Sequence, residues 1–353
     1  MSMFVFLHLA LGLTLIIAGN EMTTAALARL GARLGKAWPA DSNALLALNN
    51  TAPLLVVSVT AILKGHDDLA LGSVLGGHIA NLLAVLGGSA LLAPLLIPAR
   101  LLRVELPSLF GALLLAFVLA QDGTLGRLDA SLLLLGSLAY ILLRRRASPR
   151  LPTDARNAGG ENGGIRQRRR TWLLGPLQLL LGITLLCSGA DFLVDGVRDA
   201  AQLLGLSDLL SGLTLLALLT SIPLLLNICA GLLRGRRDTA AGHITTACII
   251  NLLGTLGLAA LLSPQPLSIS PNALDIDFPV MLMATLAVLM IFCAGKLPRW
   301  LGLLLLGHYA AYILYLALFA TGRPQLERLG ETMFHYALPL TALALAIHLW
   351  RSR

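Results

Sequence analysis

The chain has 353 residues, 57% of them hydrophobic and only 12% charged, with a formal net charge of +8. A soluble domain carries about 25% charged residues, so this composition excludes an ordinary soluble fold, and its continuous charge-free runs exclude the short alternating strands of a membrane barrel. The basic excess sits in the loops between those runs, which marks membrane topology rather than a nucleic-acid partner.

Crossing a bilayer takes roughly 20 apolar residues, and eleven segments qualify: 3–20, 44–63, 69–97, 104–120, 128–143, 172–190, 209–233, 239–263, 278–294, 299–319 and 332–350. The first opens MSMFVF, with no basic residue, so it reads as a span and not a cleaved signal. The second carries NNTAPLL, with Asn50, Thr51 and Pro53. Proline removes a helical hydrogen bond, so a loosened turn with free carbonyls is expected there. The third span carries Ser73, His78 and Asn81. After the fifth comes an Arg- and Gly-rich linker, 144–170, read as a polar tether near anionic lipid. The seventh span holds Thr220, Ser221, Pro223 and Asn227; the eighth holds His243, Thr245, Thr246, Cys248 and Asn251. Cys187, Cys229, Cys248 and Cys293 all fall in spans and read as small packing residues.

With the linker in the cytoplasm, 21 of the 26 Lys and Arg fall on the inside. This places the N-terminus outside and the C-terminus inside, in an integral protein of, we expect, a bacterial inner membrane.

Sliding the chain by 170 residues reveals an internal repeat. LGLTLIIAG (11–19) meets LGITLLCSG (181–189), NTAPLL (50–55) meets TSIPLL (220–225), and IANLLAVLGGSALLAP (79–94) meets IINLLGTLGLAALLSP (249–264). Five spans per half require the second half to insert upside down. The expected organisation is all-α: a first repeat over 1–143, the linker, an inverted second repeat over 171–320, and an extra C-terminal span within 321–353. Inverted repeats are the architecture of secondary transporters, with the site at mid-membrane between the halves. The candidate ion-pathway residues are therefore Asn50, Thr51, His78, Asn81, Thr220, Ser221, His243, Thr246 and Asn251. Pro53 and Pro223 are the helix breakers. A hydrogen-bonded structural role is the bland alternative for each. His78 invites a proton-carrying role, and a soft-metal site from His78, His243 and Cys248 is a further reading. Asp68 and Asp238 read as turn or capping residues. No nucleophile–base pair stands at useful spacing, so no enzyme and no cofactor are expected.

At LNNTAPL … KGHDDLALGSVLGGHIANLLAVLG and LLTSIPL … RGRRDTAAGHITTACIINLLGTLG the chain resembles the calcium/cation antiporter superfamily, the sodium/calcium exchanger family in particular, over residues 1–320. That family's pattern is close to GTSxPE followed by GNxxGSNxxNxxxxLG. The resemblance implies ten helices in two inverted repeats and a cation site lined by both prolines' neighbours. It also implies a glutamate after each proline, where this chain has Leu54 and Leu224. Calcium takes six to eight oxygens, normally including carboxylates, and no nearby acid obviously substitutes. The expected function is secondary-active cation antiport, monovalent or proton-coupled, with an inorganic cation or proton as substrate and membrane lipid as surroundings. The alternatives are a transport-inactive membrane scaffold or sensor, and a calcium:sodium antiporter with a non-standard site.

Overall fold

In the computed structural model residues 2–34, 42–147 and 165–352 are described. They form eleven long helices: α1 (Ser2–Leu34), α2 (Ser42–Leu63), α3 (Asp67–Leu92), α4 (Leu101–Leu119), α5 (Arg127–Ala147), α6 (Ile165–Leu204), α7 (Asp208–Leu233), α8 (Ala240–Leu262), α9 (Ala273–Cys293), α10 (Arg299–Thr321) and α11 (Gln325–Arg351). Nine of these, among the described residues, are long and apolar enough to cross a membrane; α2 is apolar over the shorter stretch Asn50–Leu63. Each expected span is a helix. The first and sixth are far longer than expected, because nothing in their sequences stops them where hydropathy falls. α6 ends only at Gly205, whose φ of 67° is the left-handed cap that glycine supplies. The expected linker shrinks accordingly: α5 runs to Ala147 and α6 starts at Ile165. Its central stretch, 148–164, lies outside the described residues.

Two small ladders show the inversion. Strand β1 (Leu95–Leu96) pairs antiparallel with β4 (Lys296–Leu297), and β2 (Thr124–Leu125) with β3 (Leu267–Ser268). Leu95 faces Leu297, and Leu125 faces Leu267. At an offset of 172 residues, β1 maps onto β3 and β2 onto β4, so each ladder maps onto the other. Equivalent strands lie in different ladders at opposite ends of the helices, the mark of oppositely directed halves. The offset exceeds 170 here because the turn before β3 holds two more residues than the turn before β1.

The helix crossings obey the same symmetry. α1 and α6 touch at Gly12 against Gly189 and at Gly19 against Gly182. A Cβ on Gly12 would stand 2.8 Å from the Leu193 nitrogen, and one on Gly19 2.8 Å from the Gly182 carbonyl. Small residues let membrane helices approach this closely. α3 and α7 meet through Gly72 and Gly212. α3 and α8 form the centre, 94% and 89% buried over their apolar windows, whereas α11 is only 6% buried and lies at the rim.

The prolines do not break their helices. α2 continues through Pro53 and α7 through Pro223. One missing N–H strands a single carbonyl, which a membrane helix tolerates when neighbours or hydroxyls adjust around it. The wide turns lie elsewhere: Ala80–Val85 in α3, Asn251–Thr255 in α8, Leu101–Glu105 in α4, Ala273–Asp277 in α9, Gly212–Leu216 in α7 and Met333–Ala337 in α11.

Candidate functional site

α3 and α8 each widen by one residue at the same repeat position. The Leu86 N–H donates to the Asn81 carbonyl and the Leu256 N–H to the Asn251 carbonyl, five residues back in both cases. Such π turns recur at functional sites. Asn81 and Asn251 are each 3% exposed, and each side-chain Oδ1 is buried without a hydrogen-bond partner. Cys248 of α8 lies within hydrogen-bond reach of Asn81. A buried amide oxygen without a partner costs about 1–3 kcal/mol, so two at symmetric positions stand out.

The two α7 hydroxyls donate to their own helix. Thr220 donates to the Leu216 carbonyl at 2.7 Å and Ser221 to the Ala217 carbonyl at 2.8 Å. Their protons are thus committed to the helix and their lone pairs point away from it. Thr51 is buried, and Asn50, half-buried, accepts from Asn227 Nδ2 at 3.4 Å, tying α2 to α7 across the two halves. Leu54 and Leu224 are 4% and 2% exposed. Leu54 packs on Gly77. Both positions are buried.

His78 is fully buried, with Nε2 3.3 Å from Thr285 Oγ1 on α9. Thr285 already donates to the Met281 carbonyl at 2.8 Å. His78 Nε2 is therefore the donor, and its Nδ1 is an acceptor without a partner. His243 is only half-buried, and His78, His243 and Cys248 are not brought together. Among the described residues no three His, Cys, Asp or Glu side chains converge as metal ligands would.

Thr246 turns elsewhere. Its Oγ1 accepts from Arg144 Nη1 at 2.6 Å and lies 3.1 Å from the Tyr140 hydroxyl. Tyr140 donates its proton to Glu105 Oε2, and Arg144 Nε lies 3.5 Å from Glu105 Oε1. The second half repeats half of this cluster: Tyr312 OH donates to Asp277 Oδ1 at 2.8 Å. Each tyrosine follows its acid by 35 residues, and each acid closes a π turn two residues before a proline, Pro107 or Pro279. Glu105 and Asp277 are each 3% exposed. Neither buried acid was singled out in the sequence, and neither is shown beside Leu54 or Leu224. VELP and DIDFP held the signal, but a slide of 170 leaves them two residues out of register.

At the end of α2, Lys64 lies 2.8 Å from Asp195 and 3.3 Å from Asp191 of α6. Burial works against its charge, but the two carboxylates outweigh that and raise its pKa. The expected turn residue Asp68 stands in the first turn of α3, where an acid complements the helix dipole.

Known proteins share this architecture. The family profile described as sodium/calcium exchanger protein matches residues 4–145 and 174–318. A putative antiporter, CaxA, of Alkalimonas amylolytica is 34% identical over 72% of this chain and 79% of its own. The inner membrane protein YrbG of Escherichia coli (strain K12) is 32% identical over 76% of this chain and 83% of its own. A crystal structure of an H+/Ca2+ exchanger, CAX, superposes with a TM-score of 0.73 at 15% identity, over 99% of this chain and 90% of that one. That match shows the shared fold and spans α11. On its inverted halves, its apolar helices and this profile, the chain is an integral membrane protein that belongs to the sodium/calcium exchanger protein family of exchanger-type transporters.

Proposed function

We propose that the chain is a secondary-active cation antiporter that binds its cation through neutral oxygens between α3 and α8. The supporting observation is the symmetric pair of unpartnered oxygens, Asn81 Oδ1 and Asn251 Oδ1, at matching π turns. Thr51, Thr220 and Ser221 would add hydroxyl ligands, with Asn50 at the rim. Leu54 and Leu224 argue against standard calcium exchange. A dication without adjacent carboxylates lacks compensation for several kcal/mol of lost hydration. A monovalent cation, or coupling to protons, fits this donor set better. The described relatives, a putative antiporter and the fold of an H+/Ca2+ exchanger, are consistent with antiport. The two halves, 1–143 and 171–320, would rock about the fixed site. The basic loops favour a cytoplasmic linker, an outside N-terminus and an inside C-terminus; the relative YrbG favours a bacterial inner membrane.

The buried leucines support a second reading, a transport-inactive relative that senses or scaffolds. Purified protein in proteoliposomes separates the two. Cation-gradient-driven uptake of radioactive sodium or calcium, or internal pH change, supports antiport; silence with all of sodium, potassium, calcium and protons supports the second reading. The site is tested by Leu54→Glu with Leu224→Glu. If these positions face the cation, the double variant gains calcium affinity by tenfold or more, about 1.4 kcal/mol. A folded double variant that binds calcium no better than the parent refutes the placement.

A further inference from the structure

The duplicated acid clusters are chemically unequal. In the first, Glu105 meets a guanidinium, Arg144, and two hydroxyls complete the network. In the second, Leu316, 4% exposed, stands where the 172-residue offset puts the counterpart of Arg144. Among the described residues no Lys, Arg or His forms an ion pair with Asp277, and Tyr312 is its hydrogen-bond donor. A carboxylate buried this deeply must be neutralised, by a cation or by a proton. A metal ion needs several oxygens in one place, and this site offers one carboxylate and a tyrosine hydroxyl. A proton needs only one oxygen.

We propose that Asp277 is a proton-binding site and that the proton it takes is the coupling ion of the antiporter. This rests on the antiport reading above and names its second substrate. A proton from water bonds to Asp277 Oδ2, while Oδ1 keeps the Tyr312 hydrogen bond; release reverses the step and leaves the carboxylate. The groups that face Asp277 are few. From α10 come Tyr312, its hydrogen-bond donor, and Tyr315; beside Tyr312 the Tyr309 hydroxyl is buried without a partner. On its own turn Asp275 points to the surface. From α3, His78 reaches α9 at Thr285, eight residues along the same buried face, about 12 Å at 1.5 Å per residue. That face begins at the acid and reaches His78, three residues before Asn81 on α3. Glu105 lies by the other ladder, at the opposite end of the bundle.

Two measurements test this. Infrared difference spectra of the purified protein between acid and alkaline pH should show a carboxylic C=O band. It should vanish in Asp277→Asn, shift in Tyr312→Phe, and persist in the double variant E105Q/R144Q. Asp277→Glu, which keeps the acid, guards against a variant that does not fold. An absent band, or one that survives Asp277→Asn, overturns the site. In proteoliposomes, parent protein should couple sodium or calcium tracer uptake to proton release, and Asp277→Asn should lose at least tenfold of that coupling. Coupling retained in Asp277→Asn overturns this proposal alone; no tracer flux in the parent overturns antiport, and the coupling role with it, whatever the band does.

Discussion

The Glu105 and Asp277 clusters share a backbone and differ in one charge. Both acids close a π turn, both precede a proline by two residues, and both take a tyrosine 35 residues on. The first adds Arg144 and Thr246 and becomes a closed, charge-balanced network. The second has leucine at the arginine's place, and Asp277 keeps a tyrosine hydrogen bond without an ion pair among the described residues. A duplicated scaffold can thus hold geometry fixed while one side chain decides whether a buried acid has a counter-ion.

The comparison is broken most severely by Arg144→Met. Glu105 then loses its buried counter-ion, and stability should fall by about 3–5 kcal/mol. Thermal unfolding in detergent measures this, and adding Glu105→Gln should recover most of it. If Arg144→Met leaves the melting temperature unchanged, Glu105 does not depend on that charge and the two clusters are alike.

The tyrosines sharpen the contrast at a smaller scale. Tyr312→Phe removes the hydrogen bond that Asp277 receives and should cost about 1–3 kcal/mol. Tyr140→Phe should cost less, because Glu105 keeps Arg144. Equal losses, or the reverse order, would show that the arginine does not compensate.

The smallest effect is expected at the bundle's rim. Lys64 joins α2 to α6 through Asp191 and Asp195. Its repeat mate Arg234 and the Asp191 mate Glu21 form no ion pair among the described residues. Lys64→Met should cost no more than about 1 kcal/mol, as exposed ion pairs do, and the loss should shrink in high salt. Arg234→Met should be neutral. A loss at Arg234 matching that at Lys64 would erase the difference between the two rims.

Much of the fold was legible because hydropathy and the repeat are local or linear signals. Eleven apolar runs became eleven helices, and Gly12, Gly19 and their mates in the second half proved to be the α1–α6 crossing. The candidate site was legible in part. Asn81 and Asn251 were singled out by their matching positions, and the structure adds the π turns and unpartnered oxygens. Thr246 was grouped with them by sequence, yet it bonds Tyr140 and Arg144, because its face of α8 points to the α4–α5 side. The prolines drew attention to α2 and α7, but the distortions in the central pair are carried by α3 and α8. A π turn comes from how packed neighbours pull on the backbone, which no residue type announces.

The sequence by itself determined that the chain crosses a membrane, that it is built from two related halves of opposite direction, and that leucines stand where the resembled family has glutamates. These follow from composition and from residues compared along one line. Only the tertiary structure decided which polar groups meet. Glu105, Tyr140, Arg144 and Thr246 come from three helices, and Asp277 finds Tyr312 across a helix pair. The electrostatic environment of a buried acid depends on side chains distant in sequence, and folding alone sets those distances.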